Sequence, residues 1–157
     1  MISKTLLVVS TALGFLTAAQ ADCVGPDDWV NGPNCVTGNS DEVTKDILDN
    51  LVSCMKSSSE DDGTYTIEGN GVIPPSGNGK MVTWSKDNHE IFIMNNKKDD
   101  ACVDLNGIGD VMKDGYKDGC IDLVWDNGDD YMIKTGIGSC DVVYGCGNSA
   151  YRKISCT

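Results

Sequence analysis

The sequence predicts an α+β domain in which disulfides fasten an antiparallel sheet to one or two helices. Three observations support this fold class: paired strand-like runs, helical periodicity elsewhere, and an even number of cysteines. The runs 80–85 and 90–96 are separated by a short polar segment, which predicts a hairpin with Asp87-Asn88 in its turn. A second hairpin is predicted where 120–125 and 130–137 flank Asp-Asn-Gly-Asp. Strands interrupted by helices and closed by cysteines indicate a disulfide-stapled sandwich.

The first 21 residues have the pattern of a secretory signal peptide. Lys4 precedes an apolar stretch over 6–19, and Ala19-Gln20-Ala21 is a small-x-small cleavage pattern. The apolar stretch is short for a transmembrane span. We therefore expect cleavage after Ala21, secretion to the extracellular space without membrane insertion, and one cysteine-rich domain over 22–157.

The cysteines indicate an oxidised framework. All eight follow the expected cleavage site, and an even count in an exported chain predicts four disulfides, whose connectivity has 105 alternatives that the sequence does not distinguish. A zinc site would have few ligands, because the chain has one histidine and no Cys-x-x-Cys pair. The cysteines are Cys23, Cys35, Cys54, Cys102, Cys120, Cys140, Cys146 and Cys156.

The net negative charge indicates which classes of binding partner to expect. The chain has 24 acidic and 12 basic residues, a net charge of −12, and loss of Lys4 with the signal peptide leaves 24 against 11, or −13. Such a surface repels phosphate, so nucleic acid and anionic bilayers are not expected as primary partners. The expected partner is an extracellular or cell-surface protein or glycan.

Residues 40–56 carry the clearest helical pattern. Ser40 is the expected N-cap, and an apolar face includes Ile47, Leu51 and Cys54. We expect this cysteine to fasten the helix to the sheet. The Gly- and Pro-rich segment 22–40 before the helix is expected to be irregular. A strand is expected after it, over 64–73.

The segment 100–120 admits two interpretations. As a calcium loop it offers Asp104 at position 1 and Asn106 at position 3, with Asp110 nearby, but position 5 is Ile108 and position 12 is Gly115. Because calcium needs six to eight oxygen ligands, these three residues are only weak metal candidates.

As a helix, the same segment places Leu105, Ile108, Met112 and Tyr116 on one face. Asp104 or Asn106 would cap the start and Gly119 would follow the end. Its glycines weaken an isolated helix, so disulfides through the flanking Cys102 and Cys120 would hold it. We expect the helix, and no metal or other cofactor.

Catalytic chemistry has few candidates. His89 lies at the predicted hairpin turn and is expected to be exposed, and its neighbour Glu90 would point to the opposite face of the strand. Secreted guanyl-specific ribonucleases resemble this chain in small size, disulfides and an early helix. They use two histidines, a glutamate and an arginine, whereas this chain has a single histidine, His89, and a single arginine, Arg152. No catalytic residue is therefore assigned.

Contact residues are expected in polar loops. Acidic pairs in the predicted loops, including Asp99-Asp100, are expected to be solvated surface. Trp84 and Trp125 lie in predicted strands and should be core residues, whereas Trp29 lies in a polar loop. The candidate contact residues are Trp29, Asp61, Asp62, Asp129 and Asp130.

Three segments carry a resemblance to a protein family. They are DEVTKDILDNLVSC at 41–54, CVDLNGIGDVMKDGYKDGC at 102–120 and YRKISC at 151–156. In this order they resemble the α/β killer-toxin fold and the related necrosis-inducing effectors, among small secreted cysteine-rich fungal proteins. Killer toxins of this fold are basic and this chain is acidic, so no functional residue is carried over.

The expected function is that of a secreted non-enzymatic effector or toxin-like protein, which binds a target outside the producing cell. That target would belong to a host or a competitor. The alternatives are an extracellular calcium-binding module and a small secreted hydrolase or ribonuclease-like enzyme.

Overall fold

The computed structural model describes residues 23–25, 31–74, 79–126, 133–139 and 151–157. Within these ranges two helices and eight strands form a disulfide-stapled α+β fold, which confirms the predicted fold class. In chain order the elements are β1 (Asn31–Val36), α1 (Lys45–Ser57), β2 (Thr64–Ile67), β3 (Lys80–Lys86), β4 (His89–Asn95), β5 (Ala101–Asp104), α2 (Leu105–Asp114), β6 (Asp122–Asp126), β7 (Ile133–Ser139) and β8 (Arg152–Ser155).

The main sheet has six strands in the order β1-β6-β7-β4-β3-β8. Its pairs are antiparallel except β3–β8, which is parallel. A separate antiparallel pair joins β2 and β5. No described helix is both long and apolar enough to cross a membrane.

The β3–β4 hairpin has the turn that its sequence predicts. Asp87 and Asn88 have φ angles of 49° and 63°, and Lys86 pairs directly with His89. Two central residues with positive φ define a turn whose twist matches that of the flanking strands, and short polar side chains tolerate this conformation. The pairing of β6 with β7 confirms the second predicted hairpin, and residues 127–132 between the two strands are outside the described ranges.

Helix α1 packs on one face of the main sheet, and α2 packs against α1 and the β2–β5 pair. The amphipathic α1 buries Leu48, Leu51 and Met55 in a core that also contains Trp84 and Trp125, which confirms both tryptophans as core residues. Since neighbouring residues of a strand point to opposite faces, the second face carries a separate small cluster. That cluster consists of Met81, Phe92 and Met94, with Val124 packed against it.

The first helix begins four residues later than predicted. Thr44, rather than Ser40, is the N-cap, and its hydroxyl accepts a hydrogen bond from the Ile47 N–H at 3.3 Å. The Val43 N–H donates instead to the carbonyl of Cys120 at 2.9 Å. This long-range hydrogen bond keeps the preceding residues out of the helix.

The segment after Cys102 is a helix, as expected, with Asp104 as its N-cap. It ends at Gly115 rather than near Gly119. Gly109 faces α1, and a Cβ atom at this position would lie 2.7 Å from Cγ1 of Val52. The missing side chain therefore allows the two helices to approach closely.

Part of the 22–40 segment is a strand, and the expectation of irregular structure there was wrong. β1 pairs with β6 despite a register shift between Asn31 and Asn34 and a cis peptide bond at Gly32-Pro33. The pattern was missed because an edge strand with a bulge lacks regular alternation. In contrast, the predicted strand over 64–73 is shorter, since β2 ends at Ile67.

Three disulfides connect distant parts of the chain. Cys54–Cys156 joins α1 to the end of β8, as expected for the helix cysteine. Cys23–Cys102 and Cys35–Cys120 flank α2 on both sides. No cysteine is free among the described residues, and Cys140 and Cys146 are outside these ranges.

Candidate functional site

The predicted contact residues that the structure describes lie in the exposed loop between α1 and β2. Asp61 and Asp62 are both exposed. The Asp62 carboxylate accepts hydrogen bonds from the hydroxyl of Thr64 at 2.5 Å and from its N–H at 3.0 Å, and these bonds lower the pKa of Asp62. Its carboxylate therefore organises the turn into β2. Trp29, Asp129 and Asp130 are outside the described residues.

An exposed aliphatic pair lies at the opposite end of β2, in loop 68–74. Val72 and Ile73 are 69% and 71% exposed. The predicted strand over 64–73 placed Val72 and Ile73 at its end, so this exposed pair was not expected. A possible signal is its position between Gly71 and Pro74, since glycine and proline mark loops rather than strand interiors.

Two asparagines hold the base of loop 68–74. The Asn70 side chain donates to the carbonyls of Asn95 and Lys97 at 2.8 and 2.9 Å. The buried Asn95 side chain donates at 3.1 Å to the carbonyls of both Ile67 and Glu68. These contacts connect the end of β2 to the end of β4, so the loop leaves the sheet in a fixed direction.

The backbone of loop 68–74 also lies directly against residues 97–100. The N–H of Gly69 donates to the Asp100 carboxylate at 2.7 Å, and the N–H of Gly71 donates to the Lys98 carbonyl at 2.9 Å. A Cβ atom on Gly69 would overlap the backbone of Lys98 and Asp99. Only glycine therefore permits this approach of the two backbones.

Tyr151 and Lys80 contact the same loop from the start of β8 and of β3. The Tyr151 hydroxyl accepts a hydrogen bond from the Glu68 N–H at 3.2 Å, and its ring, in a residue that is 40% exposed, lies 5.5 Å from the Lys80 ammonium. Lys80 donates to the Glu68 carboxylate at 2.7 Å, which raises the pKa of Lys80. Among the described residues four large hydrophobic residues are exposed, and three of them (Val72, Ile73 and Tyr151) belong to this loop or contact it.

His89 is buried, and the expectation of an exposed turn histidine was wrong. It is 2% exposed, with Nδ1 at 2.9 Å from the Asp87 carbonyl oxygen and Nε2 at 3.2 Å from that of Glu42. The segment before α1 covers the start of β4. Because Glu42 and His89 are 47 positions apart in the sequence, no local pattern predicts their contact. The imidazole therefore connects the hairpin turn to the segment that enters α1.

His89 and Arg152, the only histidine and arginine available for a ribonuclease-like centre, lie far apart. His89 pairs with Lys86 at one end of β3, whereas Arg152 pairs with Val82, four residues away along the same strand. At about 3.3 Å per residue this separation is roughly 13 Å. The guanidinium of Arg152 also stacks over the ring of Tyr65 at 5.4 Å.

The residues expected as weak metal candidates cap helix α2 or pair it with α1, and they do not form one cluster. Asp104 accepts hydrogen bonds from the N–H groups of Asn106 and Gly107 at 2.9 and 3.0 Å. Asp110 pairs with Lys56 of α1 at 2.7 Å. Across the described parts of the chain, no group of three or more His, Cys, Asp or Glu residues is arranged to hold a metal ion.

Loop 68–74, with Tyr151, is the candidate contact surface that this geometry supports best. It combines exposed aliphatic side chains with a base held by hydrogen bonds. Comparison with known proteins gives no further assignment, because no family model, no curated protein and no solved structure matches the chain.

Proposed function

We propose that this chain is a secreted, non-enzymatic effector or toxin-like protein that binds a protein on a cell surface outside the producing cell. Loop 68–74 is the contact, with Val72 and Ile73 entering an apolar site on the target. The observation that carries the proposal is the exposure of these two aliphatic side chains, 69% and 71%, on a hydrogen-bonded base.

The energetics favour binding by such a loop. Binding hot spots are side chains that become fully buried in a well-packed pocket of the complex, most often aromatic residues and arginine. Aliphatic side chains such as those of Val72 and Ile73 can also act as the buried anchor. An anchor on an ordered loop loses little conformational entropy when it binds. Asn70 and Asn95 supply that order here. The three disulfides are compatible with an extracellular protein, since disulfides persist in oxidising compartments.

The acidic surface would contribute to association at long range. With 24 acids against 12 bases, the chain attracts basic targets and repels anionic ones. Asp61 and Asp62 are exposed at the other end of β2 and add to this field. We therefore expect the association rate to fall as salt is raised, because salt screens charges over about 8–10 Å.

The test measures binding of labelled, oxidised protein to intact cells of candidate hosts and competing microorganisms. The variant Val72→Ser/Ile73→Ser removes both aliphatic groups, and Val36→Ser is the matched control, since Val36 is 42% exposed in β1. Loss of hot-spot residues should weaken binding by at least about tenfold, or about 1.4 kcal/mol. The control should bind as the unmodified protein does. Unchanged affinity of the double variant would refute the proposed contact.

A separate measurement addresses the non-enzymatic part of the proposal. Purified protein is assayed for hydrolysis of RNA and of generic ester and glycoside substrates, together with His89→Ala and Arg152→Ala variants. We expect no turnover above the buffer control. Turnover that either substitution abolishes would replace the binding function with an enzymatic one.

A further inference from the structure

A polar groove lies between the C-terminal half of α1 and the end of β8. Its volume is about 380 Å³, within the range of about 300–1,000 Å³ that is typical of small-ligand sites. Asn50, Ser53 and Ser57 line it from the helix, and Ile154 and Ser155 line it from the strand. None of the described residues that line the groove has a charged side chain.

Hydrogen bonds already present within α1 leave both acceptor and donor atoms for a ligand. The Ser57 hydroxyl donates to the Cys54 carbonyl at 2.7 Å, so its oxygen retains only acceptor positions. The Asn50 amide donates to the Asp46 carbonyl at 2.8 Å, which leaves Oδ1 and its second N–H for a ligand. The hydroxyls of Ser53 and Ser155 can both donate and accept. The groove thus favours a ligand with several hydroxyl groups, each of which can both donate and accept.

The electrostatics of the groove select against charged ligands. The C-terminal end of a helix carries a partial negative charge, which disfavours anions. A strongly bound cation would require several carboxylate ligands, and no described lining residue has an acidic side chain. The main-chain oxygen of Thr157, which also lines the groove, already accepts a hydrogen bond from Lys86 at 3.2 Å. We therefore expect a neutral ligand that carries hydroxyl groups.

An apolar strip completes the site. Ile154 and the Cys54–Cys156 disulfide lie among the polar lining groups. The C–H groups of a sugar ring can pack on such a strip while its hydroxyls bond to the surrounding oxygens. The disulfide joins the two walls with a Cα–Cα distance of 5.8 Å, so the groove is ordered before a ligand arrives.

We infer that this groove binds a neutral sugar unit, such as one residue of an extracellular glycan. The inference does not depend on loop 68–74, which contacts Tyr151 at the start of β8 instead of the residues at its end. A protein with both sites would bind a glycan through one surface and a protein through the other.

The inference is tested by titrating ¹⁵N-labelled, oxidised protein with cellotetraose and with mannobiose, followed by backbone amide shifts. Tri-galacturonate is the charged control ligand. At least one neutral sugar should shift the amides of Ser53, Ser57 and Ser155 and saturate at millimolar concentration. Tri-galacturonate should bind much more weakly because of its carboxylates. Absence of saturable shifts with both neutral sugars, or equal binding of the charged one, would overturn the inference.

Two variants locate the binding. Ser53→Trp fills the groove from an exposed helix position, and Asn50→Leu removes an acceptor while losing only a surface hydrogen bond. Asp114→Trp, at an exposed position of α2, is the matched control. We expect Ser53→Trp to weaken sugar binding at least about tenfold, Asn50→Leu several-fold, and the control to leave it unchanged. Sugar binding that survives both groove variants would place the ligand elsewhere and refute the assignment.

Discussion

The side-chain amide of Asn70 donates to the backbone carbonyl of Asn95 at 2.8 Å, while the side chain of Asn95 donates to the carbonyl of Glu68, two residues before Asn70. The two asparagines thus bond in opposite directions across the same junction. Neither bond is part of a regular strand pairing. Together they join the end of β2 to the end of β4, and loop 68–74 extends from this junction.

Asn95→Ala should destabilise the protein strongly. The Asn95 side chain is fully buried and makes four hydrogen bonds: to the carbonyls of Ile67, Glu68 and Asp99, and from the N–H of Lys97. Leaving these groups without partners should lower the free energy of unfolding by about 2–4 kcal/mol, because each buried unsatisfied group costs about 1–3 kcal/mol and some will recruit water. Urea unfolding provides the measurement.

The matched control for this prediction is Asn50→Ala, which removes one exposed hydrogen bond to Asp46. It should change the free energy of unfolding by about 0.5 kcal/mol or less. Hydrogen exchange should also accelerate at Asn70 and Gly71 in Asn95→Ala. A loss of stability no larger than that of the control would show that the Asn95 bonds do not hold the loop.

The effect of Gly109→Ala on the free energy of unfolding should depend on the residue that position 109 faces. Alanine favours a helix by about 1 kcal/mol over glycine, but its Cβ would lie 2.7 Å from Cγ1 of the fully buried Val52. Overpacking costs about 1–3 kcal/mol, so the net effect should be destabilising by about 1 kcal/mol.

In a Val52→Ala background the contact with Cγ1 of Val52 is absent. The other close atom, Cε of Lys56 at 2.6 Å, belongs to the flexible end of a partly exposed side chain that can move aside, so the same substitution should instead stabilise by up to about 1 kcal/mol. The double-mutant cycle is measured by urea unfolding. If Gly109→Ala were stabilising in the unmodified protein, close approach of the helices would not explain this glycine.

Local sequence signals predicted the elements whose determinants are local. The Asp87-Asn88 turn is set by short polar residues that tolerate positive φ, and α1 is set by its apolar periodicity. The start of α1 was not predictable in this way. Both Ser40 and Thr44 are good N-caps, and a hydrogen bond from Val43 to Cys120 decides between them.

The candidate sites were harder to predict because they depend on contacts between distant residues. Exposure of Val72 and Ile73 follows from hydrogen bonds between segments about 25 residues apart. The polar groove forms only where α1 meets β8, which the chain separates by about 100 residues. Burial of His89 likewise requires Glu42. In each case the individual residue type has no distinctive pattern along the sequence.

Removing the Cys54–Cys156 disulfide by double substitution to alanine should cost about 3–4 kcal/mol of unfolding free energy. The bond connects two cysteines that are 102 positions apart in the sequence. A cross-link that closes a loop of this length strongly constrains the unfolded chain. It also fastens β8, whose only strand partner among the described residues is β3. Thermal and urea unfolding should both show the loss, and amide exchange in β8 should rise most. A change below about 1 kcal/mol would mean that noncovalent packing alone holds β8 in place.

The pKa of Asp49 should report the contact between the two helices. Lys113 of α2 donates to the Asp49 carboxylate at 3.0 Å, and Lys45 of α1 donates to it at 3.1 Å. Both bonds lower the pKa of Asp49, and the bond from Lys113 contributes most. Because the native pKa is lowered, the contribution to stability is complete above the ordinary aspartate pKa of about 3.9 and is lost as pH falls through the native value.

Titration of the Asp49 carboxyl carbon by NMR measures this directly. Lys113→Met should raise the pKa of Asp49 toward its ordinary value by more than Lys45→Met does, since the interhelical bond is the larger cause. Neither variant should change stability near neutral pH by much, because exposed ion pairs contribute little. If Lys45→Met had the larger effect, Asp49 would be paired mainly within α1, and the ion pair would not connect the helices.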